Sequence, residues 1–139
     1  MKILKSLLGM KSESGQSLVE FALVIPVLLL FIMGILEFGW LLNAKITLTG
    51  GAREGARAAV VSTVNRETRA FNAAKESVEG VSGITLINDS NHYSYYEVED
   101  TVNNVRNAVV EITGNVKPLI GIFVSDPFQI EAKAVMRIE

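Results

Sequence analysis

The chain has 139 residues, 49% of them hydrophobic, with a formal net charge of −2 and no cysteine. That length holds one modest domain and a membrane segment. Interspersed charges leave no basic patch for nucleic acid, and the lack of cysteine excludes disulfides and thiolate metal sites.

The first element is a short basic leader. Lys2, Lys5 and Lys11 stand against one acid, Glu13, ahead of Gly15. Lysines there suit the cytoplasmic side of a membrane, although Lys45, Arg53 and Arg57 soon follow the next element and reduce the asymmetry. An ordinary secretory signal places its small cleavage residue after an apolar stretch of about 7–15 residues. Here Gly15 comes before the apolar block, so a cut there would remove the leader and leave the block on the mature chain.

The block runs from Leu18 to Leu42, and Phe21 to Leu36 carries no charge. As a helix its roughly 25 residues measure about 37 Å, enough to cross a hydrocarbon core of about 30 Å. Glu20 opens it, and a carboxylate at a bilayer edge is costly. Two roles are open to Glu20: an N-terminal helix carboxylate favoured by the macrodipole, or a counter-charge for a docked neighbour. Glu37 lies about 25 Å further along the axis. It reads as a boundary marker reaching water beside an interfacial Trp40, in preference to a functional pair with Arg53 or Arg57. Pro26 is expected to kink or weaken the helix locally.

The helical pattern continues past Trp40. Leu48, Ala52, Ala56, Ala59, Val60, Val64, Phe71, Ala74 and Val78 recur at three- and four-residue steps, which predicts an amphipathic helix over about 44–80. Gly50-Gly51 is expected to loosen it. Gly51, Gly55 and Ala59, four apart, leave a face that another helix or sheet could approach closely, within this domain or outside it.

Beyond Gly83 the period changes to two. Ile84 to Ile87 reads as a short strand, Asn88 to Asn91 as a turn, and Tyr93 to Val98 as a strand or a loop. Clear alternation marks strands at Ala108 to Val116 and Phe128 to Ile138. Between them the apolar tip Leu119-Ile120-Gly121-Ile122-Phe123-Val124 is either tucked under the sheet, the favoured reading, or exposed as a contact patch. The resulting fold class is α+β: a long N-terminal transmembrane helix continuing into an amphipathic helix, packed against a small C-terminal antiparallel sheet. The domains are 1–15 leader, 16–43 membrane and assembly helix, and 44–139 extracytoplasmic head with strands over about 84–138.

No catalytic constellation is visible, so the chain reads as a non-enzyme without cofactor or metal. His92 is the single histidine and lies in a polar stretch. Asp89, Glu97, Glu99 and Asp100 form an acidic cluster without the spacing of a dedicated calcium loop, and read as a solvated edge.

Gly15 followed by Glu20-Phe21 resembles the processing site of type IV prepilins, and more narrowly of the Tad (Flp) pilus branch. The run Gly51-Ala52-Arg53-Glu54-Gly55-Ala56-Arg57-Ala58-Ala59 is similar to the segment that marks TadE-like minor pilins, or pseudopilins. Glu37 and the closing Ala132 to Arg137 also look like that family, whereas about Asn65 to Asn107 resembles nothing. The resemblance implies cleavage between Gly15 and Gln16 by a membrane-embedded prepilin peptidase, and a role for Glu20 and Phe21 in assembly. Arg53, Glu54 and Arg57 are secondary candidates. It implies as partners other Tad pilins, inner-membrane assembly platform proteins and membrane lipid, in a single-pass inner-membrane protein that can enter a surface pilus for adhesion or secretion. The alternative is an unprocessed single-pass protein with a partner-binding β head. That reading gives no reason for the Gly15/Glu20 pair.

Overall fold

The computed structural model describes residues 13–87, 92–101, 103 and 105–138. Most of the leader and the expected turn at Asn88 to Asn91 lie outside them. The chain divides after Leu36 into two compact units. Helix α1 covers Glu13–Val61 and α2 Arg66–Glu79; strands β1 Ile84–Leu86, β2 Tyr93–Asp100, β3 Val105–Val116 and β4 Phe128–Ile138 follow. This is the expected α+β class.

The expected single helix over 44–80 is two helices. Ser62 to Asn65 interrupts it, with Asn65 in the left-handed conformation at φ 54°. Asparagine is among the few non-glycine residues that enter this region readily. Val60, Val61, Thr63 and Val64 before it are β-branched and weaken helical continuation. Ser62 turns its hydroxyl onto the Ala58 carbonyl at 2.6 Å, and its own carbonyl accepts the Arg66 Nε–H at 2.8 Å. The break lets α2 return antiparallel along α1. A Cβ on Gly51 would meet Val78 Cγ2 at 2.7 Å, and one on Gly55 would meet the Ala70 carbonyl oxygen at 2.8 Å. Gly50-Gly51, expected to loosen the helix, stays helical. The glycine–alanine face is thus closed by the chain's own second helix and sheet.

β3 is the centre of the sheet. β4 pairs with it antiparallel from Arg106↔Ile138 to Val116↔Phe128. Its other edge is shared by β2, from Tyr93↔Ile112 to Asp100↔Val105, and β1, from Ile84↔Val116 to Leu86↔Gly114. Thr113 bridges the two edge segments, accepting from the Ile87 amide at 3.0 Å and donating to the His92 carbonyl at 2.8 Å. Tyr93 to Val98, which sequence left open, is therefore strand. Ala108, Val110, Ile112 and Val116 of β3 and Ile130, Ala132 and Ala134 of β4 meet Leu41, Ala44, Leu48, Ala52 and Ala56 of α1 in one core. Gly114 admits Leu48 where a Cβ would meet Leu48 Cδ2 at 2.8 Å.

Candidate assembly and anchoring site

Gly15, Gln16, Glu20 and Phe21 fall in the first turns of α1. Gln16 Nε2 donates to Glu20 Oε1 at 3.3 Å, one turn away on an exposed face. The Gly15–Gln16 bond is itself helical. From Leu18 to Leu36, fourteen large apolar side chains are exposed, Leu18 at 68% and Ile35 at 72% among them. The span window has a mean hydropathy of 2.7 and nothing in it is buried within the chain. Full burial of one such side chain is worth about 1.5–3 kcal/mol. An apolar surround therefore decides where this helix resides, and its length and composition are those of a single-pass membrane anchor.

Further along α1 the charged residues of the Gly51 to Ala59 run separate from the small ones. Gly51, Ala52, Gly55, Ala56 and Ala59 are buried, whereas Arg53, Glu54 and Arg57 face outward. Arg57 and Glu54 are 4.0 Å apart at (i, i+3), both well exposed, a geometry worth little. Close packing accounts for the small residues of this motif. The arginines are left available to something outside the fold.

Glu37 departs from expectation. It neither reaches water as a boundary marker nor pairs with Arg53 or Arg57: it is 0% exposed. Its Oε2 accepts the amide of Ile120 at 2.7 Å and that of Gly121 at 3.4 Å. Gly121 has φ +75°, so two successive N–H groups converge on one oxygen in an anion-binding nest. Oε1 is buried without a hydrogen-bond partner. Trp40, expected at the membrane surface, is half-buried beside the core; its Nε1–H donates to the Lys117 carbonyl at 2.9 Å and its ring lies over Gly83. The β3–β4 connection is thus fastened to α1 at two points. Its tip does not tuck under the sheet: Leu119 is 54% and Ile122 65% exposed. The sequence contained one signal for Glu37. It stands one turn before Leu41, on the stripe that continues through Ala44 and Leu48 into the core.

Of the acidic cluster, Glu97, Glu99 and Asp100 all lie on β2. Asp89 lies outside the described residues. Glu97 accepts from Tyr95 Oη at 2.7 Å and from Arg66 at 2.9 Å, with Arg106 at 3.7 Å. The tyrosine hydroxyl first, then Arg66, holds the Glu97 carboxyl below its ordinary range. Burial, aided by Glu97, pushes the Tyr95 phenol up to about 12. On the other face of the sheet Lys133 lies 2.7 Å from Glu111, and Tyr96 Oη donates to the same carboxylate at 2.9 Å. Lys133 and then Tyr96 depress the Glu111 carboxyl. Among the described residues no group of three or more His, Cys, Asp or Glu is placed to hold a metal ion.

No curated protein and no solved structure matches the chain. A family model described as TadE-like protein matches residues 15–57. The match opens at Gly15 and takes in Glu20, the apolar span, Glu37 and the Gly51 to Arg57 run. Over most of its long N-terminal helix the chain is therefore similar to TadE-like proteins.

Proposed function

We propose that the chain is a non-catalytic minor pilin, or pseudopilin, of a Tad (Flp) type pilus, processed after Gly15 by a prepilin peptidase. One observation carries the reading: the TadE-like match begins at Gly15 and takes in an apolar span, none of whose window is buried within the chain. Cleavage gives Gln16 a free α-amino group, cationic at neutral pH. A neighbouring subunit's Glu20 then neutralises that cation where the dielectric is low. The apolar helices exchange lipid for one another as the subunit enters the filament. The basic leader holds the cytoplasmic side, and the head faces out of the inner membrane. Other Tad pilins and the membrane assembly platform are the partners, and the output is pilus assembly, adhesion or secretion.

The test is the mature amino terminus, read by intact mass and N-terminal peptide sequencing of native membranes and of a sheared surface fraction, beside a Gly15→Leu control. A terminus at Gln16, lost in the control, is the expected result. A chain starting at Met1 in both samples overturns processing and leaves a single-pass anchored protein with a partner-binding head.

A further inference from the structure

The uncharged run Phe21 to Leu36 is short for its task. Its 16 residues measure about 24 Å as a helix, against a hydrocarbon core of about 30 Å. The missing stretch, about four residues, must come from one end of the run. At one end stands Glu20, on an exposed face and bonded to Gln16 one turn back. At the other, Glu37 follows Leu36 directly, and there the head is built to leave water.

The Glu37 carboxylate is sealed, and the two amides that hold it belong to the β3–β4 connection. Trp40 spends its indole N–H on the Lys117 carbonyl of the same connection. Large apolar side chains stand exposed on both elements of this corner: Phe38 at 58% and Leu42 at 65% on α1, Leu119 at 54%, Ile122 at 65% and Phe123 at 39% on the connection, with Lys45 and Lys117 exposed among them. An open groove of about 680 Å³ runs between Phe38 and Leu42 on α1 and Phe128 on β4, with Lys45 and Glu131 at its polar end. In water such a patch is a liability. At a membrane surface each feature has a use. Irregular backbone is tolerated at depth where its polar groups are satisfied within the protein, and apolar side chains seat about 5–10 Å into the headgroup–acyl boundary.

We propose that the connection Lys117 to Val124 is seated in the interfacial layer of the membrane, with Leu119, Ile122 and Phe123 immersed and Glu37 sealed beneath them. The occupant of the patch is lipid, because the patch continues the apolar run of α1 through Phe38 and Leu42. The proposal rests on the membrane-anchor reading of α1 and adds that the head is partly immersed.

The natural absence of cysteine permits a direct test on the full-length chain in phosphatidylcholine–phosphatidylglycerol vesicles. Single variants Ile122→Cys, Val135→Cys and Leu29→Cys each carry an environment-sensitive fluorophore. The expected result is strong quenching at Leu29→Cys and Ile122→Cys by brominated lipid, with several-fold protection from aqueous iodide relative to Val135→Cys on the open sheet face. Iodide access at Ile122→Cys equal to that at Val135→Cys, with Leu29→Cys still quenched by lipid, overturns the seated loop and spares the anchor. Failure of lipid quenching at Leu29→Cys overturns the anchor itself. Protection at Ile122→Cys that disappears on dilution of protein into lipid assigns the patch to a second copy and also overturns the proposal.

Discussion

Glu37 Oε2 accepts the backbone N–H of Ile120 at 2.7 Å, across 83 positions of chain. It fastens the helix that leaves the apolar run to the hairpin that closes the head. Glu37→Ala leaves the Ile120 and Gly121 amides, the first of them half-buried, without this acceptor, so a stability loss of about 1–3 kcal/mol is expected. Glu37→Gln keeps a carbonyl oxygen there and should lose less. Denaturant unfolding in detergent gives the magnitude, and amide exchange gives the location. Unchanged exchange at Ile120 and Gly121 in the alanine variant would refute the clamp.

The small-residue face makes a sharper test, because neighbouring glycines should respond with opposite sign. Gly55→Ala and Gly114→Ala drive a methyl against the Ala70 carbonyl and Leu48 respectively, and each should cost about 1–3 kcal/mol. Gly50→Ala meets nothing within 4 Å, and in a helix interior it should be neutral or stabilise by up to about 1 kcal/mol. Melting temperatures of the three variants in one detergent decide it. Equal effects at Gly50 and Gly55 would contradict the packing described.

Acid should destabilise the head through two carboxylates. Glu97 and Glu111 both have folded-state pKa values below the ordinary 4.5. Their stabilisation is therefore present above about pH 4.5 and is lost as pH falls through the lowered folded values. Glu97→Gln and Glu111→Gln should each flatten the acid limb of a stability–pH curve and change little at pH 7 in its slope. A variant whose acid limb matches the parent's would remove that residue from the account.

Glu20 and Gly15 should separate cleavage from assembly. Glu20→Ala is expected to retain a Gln16 terminus yet fall several-fold in the sheared surface fraction. Because the Gly15–Gln16 bond is helical, Gly15→Ala should also slow processing. Alanine favours the helix by about 1 kcal/mol over glycine, and a peptidase needs that turn opened. Normal pilus incorporation of Glu20→Ala would end the counter-charge argument.

Much of this molecule was legible in its sequence, and the exceptions share a cause. The two long strands announced themselves through alternation, as at Phe128, Ile130 and Ala132 against Gln129 and Glu131, because one sheet face is buried against helices. The apolar span was visible from length alone. The break at Ser62 to Asn65 was not, since Val60 and Val64 keep the apolar period across it while Asn65 changes only its backbone angles. Glu37 was misread because a local pattern places a carboxylate on a helix face without revealing which distant backbone reaches it. The tip around Ile122 was misjudged for a related reason: apolar composition says that a loop avoids water, not whether protein or lipid takes water's place.

The separation between Glu37 and its amides also sets a schedule for biosynthesis. A ribosome adding about 5–20 residues per second needs about 4–17 s to travel the 83 positions from the carboxylate to Ile120. For part of that interval β1 and β2 have been made without β3, the strand with which both pair. The head must therefore mature after most of the chain has been made. Until that connection is made, the Glu37 carboxylate has only water to bind, and its burial in the head waits on the last hairpin.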